Sequence, residues 1–173
     1  DGPDHTFSLF ERSIGIAQKD VWSFSIAQAI MQLGDTEGAL NLVKTLPDGQ
    51  EKDLIYKNQA TTQPNLSIAE RLQLAERIND PGTKSWAHSQ IYIRLAQESI
   101  ETNNQRKIER ALQHIEEVVD PVAKRCAFQD IALIFASYDQ GEQAYRIAQK
   151  ISDVGMRAWT KNRIKQIGND KRT

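Results

Sequence analysis

Residues 120–153 read DPVAKRCAFQDIALIFASYDQGEQAYRIAQKISD, and their pattern decides the fold. Asp120 can accept hydrogen bonds from the free N–H groups of a first helical turn. Pro121 suits the first helical position and disfavours helical geometry in the residue before it. Cys126 and Ala127 follow at plus six and plus seven from the aspartate, and Ile131 and Ala132 at plus eleven and plus twelve. A break comes at Tyr138-Asp139-Gln140-Gly141. A shorter helix then runs Glu142 to Ser152, with Ala144, Ile147, Ala148 and Ile151 on one side. At Asp153 the pattern starts again.

The rest of the chain repeats this unit imperfectly. Asp48, Asp80, Asp120 and Asp153 are separated by 32, 40 and 33 residues, and one further step back reaches a degenerate start near Gly15. Two residues before each aspartate stand Leu46, Ile78, Val118 and Ile151. Nine before stand Ala39, Arg71, Ala111 and Ala144. Four after stand Lys52, Lys84, Lys124 and Arg157, each placed to pair weakly with its aspartate. Six after stand Leu54, Trp86, Cys126 and Trp159, and eleven after stand Gln59, Ile91, Ile131 and Ile164. Gln59 and Arg71 depart from apolar columns and flank the same break. Apolar steps of three and four throughout are the helical signature.

Working outward, the expected helices are Ile16–Leu33, Thr36–Leu46, Gln50–Thr61, Leu66–Ile78, Pro81–Thr102, Arg106–Val119, Pro121–Tyr138, Glu142–Ser152 and Val154–Ile167. His5–Ser13 reads as part of a capping unit, and Gly168 onward as a polar tail. The 40-residue spacing carries seven extra residues in the helix from Pro81, two turns that nearly preserve its facing side.

This pattern resembles the tetratricopeptide-type helical repeat, with units of about 34 residues and two antiparallel helices. Ala132 and Ala144, and likewise Ala27 and Ala39, match its pair of small residues where helices cross. Ile131, Phe135, Ala148 and Ile151 fit its larger apolar slots. The family's terminal proline is absent, with an aspartate cap near its place. The resemblance covers nearly the whole chain and implies an all-α, right-handed α-α superhelix of about ten helices, a single helical-repeat domain over residues 1–173. The chain does not begin with methionine, which suggests a piece cut from something longer.

Composition narrows the function classes. Twenty-two basic against 23 acidic residues give a net charge of −1, which argues against a generic nucleic-acid or acidic-membrane binder. The longest apolar run, Ile131–Ala136, is six residues, whereas a membrane span needs about 20. A single cysteine excludes an internal disulfide, and no secretion signal is present, so a cytoplasmic setting is expected. His5, His88 and His114 lack zinc spacing, and no cofactor or metal is expected. His114 shares its column with Leu42, Leu74 and Ile147 and reads as a packing residue, as does Cys126. The acid pairs Glu116-Glu117 and Glu98/Glu101 read as solvated helix faces, and no catalytic signature is present. Lys161, Arg163, Lys165, Lys171 and Arg172 are the one basic concentration, at a helix C-terminus that favours cations.

In the resembling family, first-helix side chains line a concave groove that binds partner segments. Here the positions nine and ten after each aspartate would supply them: Lys57/Asn58, Ser89/Gln90, Gln129/Asp130 and Asn162/Arg163, with Phe24/Ser25 in the degenerate unit. The expected peptide-binding residues are therefore Asn58, Gln90, Gln129, Asp130, Asn162 and Arg163. Amides both donate to and accept from an extended backbone. The expected function is a non-catalytic scaffold for a peptide or partner helix. The alternatives are an RNA-binding helical repeat and a regulatory arm of a larger enzyme.

Overall fold

The computed structural model describes residues 25–27, 29 and 36–170. All regular structure among them is helical. Eight helices follow one another from Thr36: α1 (Thr36–Lys44), α2 (Gln50–Thr62), α3 (Ile68–Ala75), α4 (Pro81–Glu101), α5 (Gln105–Glu117), α6 (Pro121–Ser137), α7 (Gly141–Ala148) and α8 (Val154–Asp170). No helix among the described residues is long and apolar enough to cross a membrane. The expected capping segment 5–13, most of the expected helix 16–33, the start near Gly15, and Lys171 and Arg172 lie outside the described residues.

At three of the four aligned aspartates the carboxylate caps the helix that it precedes. Asp80, Asp120 and Asp153 accept hydrogen bonds from the backbone N–H groups of Thr83, Ala123 and Met156 at 2.6, 2.7 and 2.7 Å. The Thr83 N–H holds the Asp80 carboxyl below its ordinary range. Asp48 instead pairs with Lys52 at 3.0 Å. At α3 a capping box does the work: the Ser67 hydroxyl accepts from Glu70 N–H, and the Glu70 carboxylate accepts from Ser67 N–H at 2.8 Å. This start falls two residues later than the apolar pattern suggests, because Ser67 and Glu70 satisfy two free donors reciprocally.

The lysines four after the aspartates do more than pair locally. Lys84 and Lys124 donate to the carbonyls of Glu76 and Glu116, at 3.1 and 2.6 Å, and Lys52 donates to that of Leu46 at 3.0 Å. Each reaches back to the end of the preceding helix, where free carbonyls and the helix dipole favour a cation.

Helix ends are equally local in origin. After α3 and α7 the chain tightens, with Ile78 N–H donating to Ala75 and Ile151 N–H to Ala148. These helices therefore stop three and four residues before the expected Ile78 and Ser152, yet Leu46, Ile78, Val118 and Ile151 are all buried. Asn103 and Asp139 adopt positive φ, 50° and 61°. Asn104 N–H then donates to Ser99 and Gln140 N–H to Phe135, closing the turns after α4 and α6. At the far end α8 runs through Gly168 to Asp170, so the expected polar tail is helical for three residues more.

Packing divides the chain into two units, Asp1–Tyr56 and Lys57–Thr173. In the first, Ala27, Ala39 and Val43 are fully buried. In the second, α4 packs on α3, α5 and α6, while α6 packs on α5, α7 and α8, and α7 also packs on α8. The shared core contains Ile91's neighbour Ile93, together with Ala111, Ile115, Phe128, Ile131, Ala132, Phe135, Ala144 and Ile147. Ala132 and Ala144 are both fully buried, as small residues must be where two helices approach closely.

The two residues that break the apolar columns also have places. Arg71 is completely buried. It donates from Nε to the Leu66 carbonyl at 3.1 Å, from Nη1 to Ala60 at 2.7 Å, and from Nη2 to Gln63. It thus ties down the whole connection between α2 and α3, at the slot that holds alanine elsewhere. Gln59 is also buried, and its Oε1 has no hydrogen-bond partner.

Candidate functional site

Helices α2, α4, α6 and α8 each bury the positions seven and eleven after the aspartate. These are Ile55 and Gln59, Ala87 and Ile91, Ala127 and Ile131, Thr160 and Ile164. A residue at plus ten stands beside plus eleven in sequence but is turned by 100° around the helix. Asn58, Gln90, Asp130 and Arg163 occupy that position, and all four are exposed. Because α4 packs on α6 and α6 on α8, Gln90, Asp130 and Arg163 stand at one register on successively packed helices. Asn58 holds the same register on α2.

The plus-nine positions behave differently. Asn162 is exposed and Gln129 half-buried, but Ser89 is completely buried, its hydroxyl donating to the Trp86 carbonyl at 2.8 Å. The accessible positions are thus those at plus ten, with Gln129 and Asn162, and Ser89 is not among them. Plus nine is two residues from the buried plus-seven and plus-eleven positions alike. How closely the neighbouring helices approach then decides whether it reaches water.

Among the described residues, the side chains of Asn58, Gln90, Gln129, Asp130 and Asn162 make no hydrogen bond or ion pair within the chain. Arg163 Nη1 donates to Gln166 Oε1 at 3.1 Å. Asp130 combines accessibility with desolvation: burial pushes its carboxyl above the ordinary range. Cys126, half-buried nearby, has its thiol pushed up by burial and then by the Asp130 charge, which keeps it protonated and poorly nucleophilic.

A second group of polar side chains converges where α4 meets the end of α5. The Tyr92 and His114 rings stack at 4.9 Å and 13°, and the His88 ring lies 6.0 Å from that of Tyr92. His114 Nδ1 stands 3.1 Å from Glu117 Oε2, and Arg110 Nε donates to its Nε2 at 3.4 Å. His88 Nε2 stands 3.1 Å from Glu76 Oε1 and has no other partner. Burial lowers the His88 pKa, opposed by the Glu76 charge. The column of His114 pointed to packing; that Tyr92 and His88 gather around it could have been read from their spacing of four on α4. Among the described residues no group of three His, Cys, Asp or Glu could hold a metal ion.

No protein-family model, curated protein or solved structure matches this chain.

Proposed function

We propose that the chain is a non-catalytic interaction module that holds an extended peptide of a protein partner. In this proposal the helix pairs are degenerate tetratricopeptide-like repeats that stack into a right-handed superhelix, and the plus-ten row lines its concave groove. The observation that carries it is that Gln90, Asp130 and Arg163 are exposed, beside positions that are all buried, on the successively packed α4, α6 and α8; Asn58 is exposed at the equivalent position of α2. Supporting it, α4, α6 and α8 pack in succession, as first helices of stacked pairs do. Free amides at Asn58, Gln90 and Gln129 can donate to and accept from a backbone at the same time.

The test is selection of peptides from an unbiased display library on the intact chain, followed by affinity measurement. The double variant Gln90→Ala with Gln129→Ala is expected to weaken the selected peptide at least about tenfold, since each unpaired partner group costs about 1–3 kcal/mol. Its melting temperature should be nearly unchanged. Glu109→Ala with Gln113→Ala, on the exposed side of α5, should be silent. Equal effects from both doubles, or none from the first, would remove the groove.

A further inference from the structure

We propose that the crevice between α4 and the C-terminal end of α5 binds an uncharged planar aromatic molecule of one or two rings, of the indole or phenol kind. This site does not depend on the plus-ten row, which uses other positions of α4.

Equivalent places in two successive helix pairs are filled differently. Eight and twelve residues after Asp120, α6 carries Phe128 and Ala132, and the facing position on α7 is Ile147; all three are buried. The same places in the preceding pair hold His88, Tyr92 and His114. The three residues of the later pair are closed in, whereas those of this pair border an open crevice of about 330 Å³. Its walls include Pro81, Lys84, His88, Tyr92, His114 and Val118, and Val119 beside it is 85% exposed. The volume falls at the low end of small-ligand sites, roughly 300–1,000 Å³.

Shape and polarity then select the ligand. Tyr92 and His114 already form a near-parallel stack, with a third ring tilted beside it. Another flat ring would join it on the same quadrupolar terms. Both His114 nitrogens are engaged: Arg110 donates to Nε2, so Nδ1 carries the proton toward Glu117. His88 Nε2 faces the Glu76 carboxylate at 3.1 Å, so its ring is held in place at the edge of the crevice and a flat ligand meets it through ring contact. The charges are already balanced. Lys84 stands 3.5 Å from Glu76, and Glu117 faces His114, so neither an anion nor a cation gains a free counter-charge.

The test uses the intact chain with indole, phenol and, as a non-planar control of similar size, cyclohexanol. Ring resonances of His88, Tyr92 and His114 are followed by NMR. Indole and phenol are expected to shift them saturably and in competition, and cyclohexanol to leave them unmoved. His88→Phe, which copies Phe128, should raise the melting temperature and weaken indole at least about tenfold. His114→Leu, which restores the apolar residue of that column, should weaken it as well and serves should His88→Phe not fold. No saturable shift in the unaltered chain, or equal binding by cyclohexanol or by the His88→Phe variant, would overturn the site. A tryptophan-bearing peptide that binds there when free indole does not would overturn the small-molecule assignment.

Discussion

The pairs α4/α5 and α6/α7 share a design and fill it differently. Both open with an Asp-Pro cap. Both turn at one residue of positive φ, Asn103 or Asp139. In each, a lysine four after the cap reaches back to the preceding helix end. Between α6 and α7 the space is closed by Phe128, which is buried, with Lys150 Nζ over its ring at 5.7 Å. Between α4 and α5 the matching place holds the half-buried His88 beside a cavity. The backbone frame is thus set by caps and turns, and the interior of a pair can vary without disturbing it. Such freedom lets one pair serve stability and its neighbour carry a pocket.

The largest expected effect tests this contrast directly. Phe128→Ala should cost about 3–5 kcal/mol, the usual range for a buried phenylalanine. His88→Ala should cost under about 1 kcal/mol, because the cavity beside it is already present. Urea midpoints of the two variants decide. Similar losses would mean that the two pairs are packed alike.

A smaller effect concerns pH. Burial depresses the His88 pKa, with Lys84 and His114 adding to the depression and Glu76 opposing it. Glu117 and Arg110 stand beyond these, on His114. Because the folded-state value lies below the unfolded value of about 6.5, the unfolded chain takes up the proton first. Stability from this group is therefore complete above about pH 6.5, falls as pH drops below it, and levels once the folded pKa is passed. His88→Phe should flatten the melting-temperature profile across that window relative to the unaltered chain. An unchanged slope would mean that His88 is as readily protonated when folded as when unfolded.

Much of this frame was legible in the sequence, because caps and helical periodicity are local. The aspartate starts at Asp80, Asp120 and Asp153, the turns at Asn103 and Asp139, and the buried columns all follow from chemistry within a few residues. The departures were visible as departures but not as contacts. Arg71 stands out in an alanine column, yet its hydrogen bonds to Ala60 and Gln63 depend on where a loop of no fixed pattern returns. The Ser67/Glu70 box was readable and was obscured by the apolar run around it. Lys84 and Lys124 pointed to their own aspartates by spacing; the carbonyls they reach lie eight residues back, across a turn. Of the candidate site, the exposure of the plus-ten positions was legible from register alone. The burial of Ser89 was not, since it is set by how closely neighbouring helices approach.

If successive helix pairs stack in one direction, as proposed, the plus-ten residues form a row along them. Spin-label distances among Gln90, Asp130 and Arg163, each replaced by cysteine in a Cys126→Ser background, test it most directly. With interaxial spacings of about 8–10 Å, the Gln90–Asp130 and Asp130–Arg163 pairs should give similar short distances. The Gln90–Arg163 pair should lie roughly twice as far apart. A Gln90–Arg163 distance no longer than the other two would contradict the row, and with it the groove.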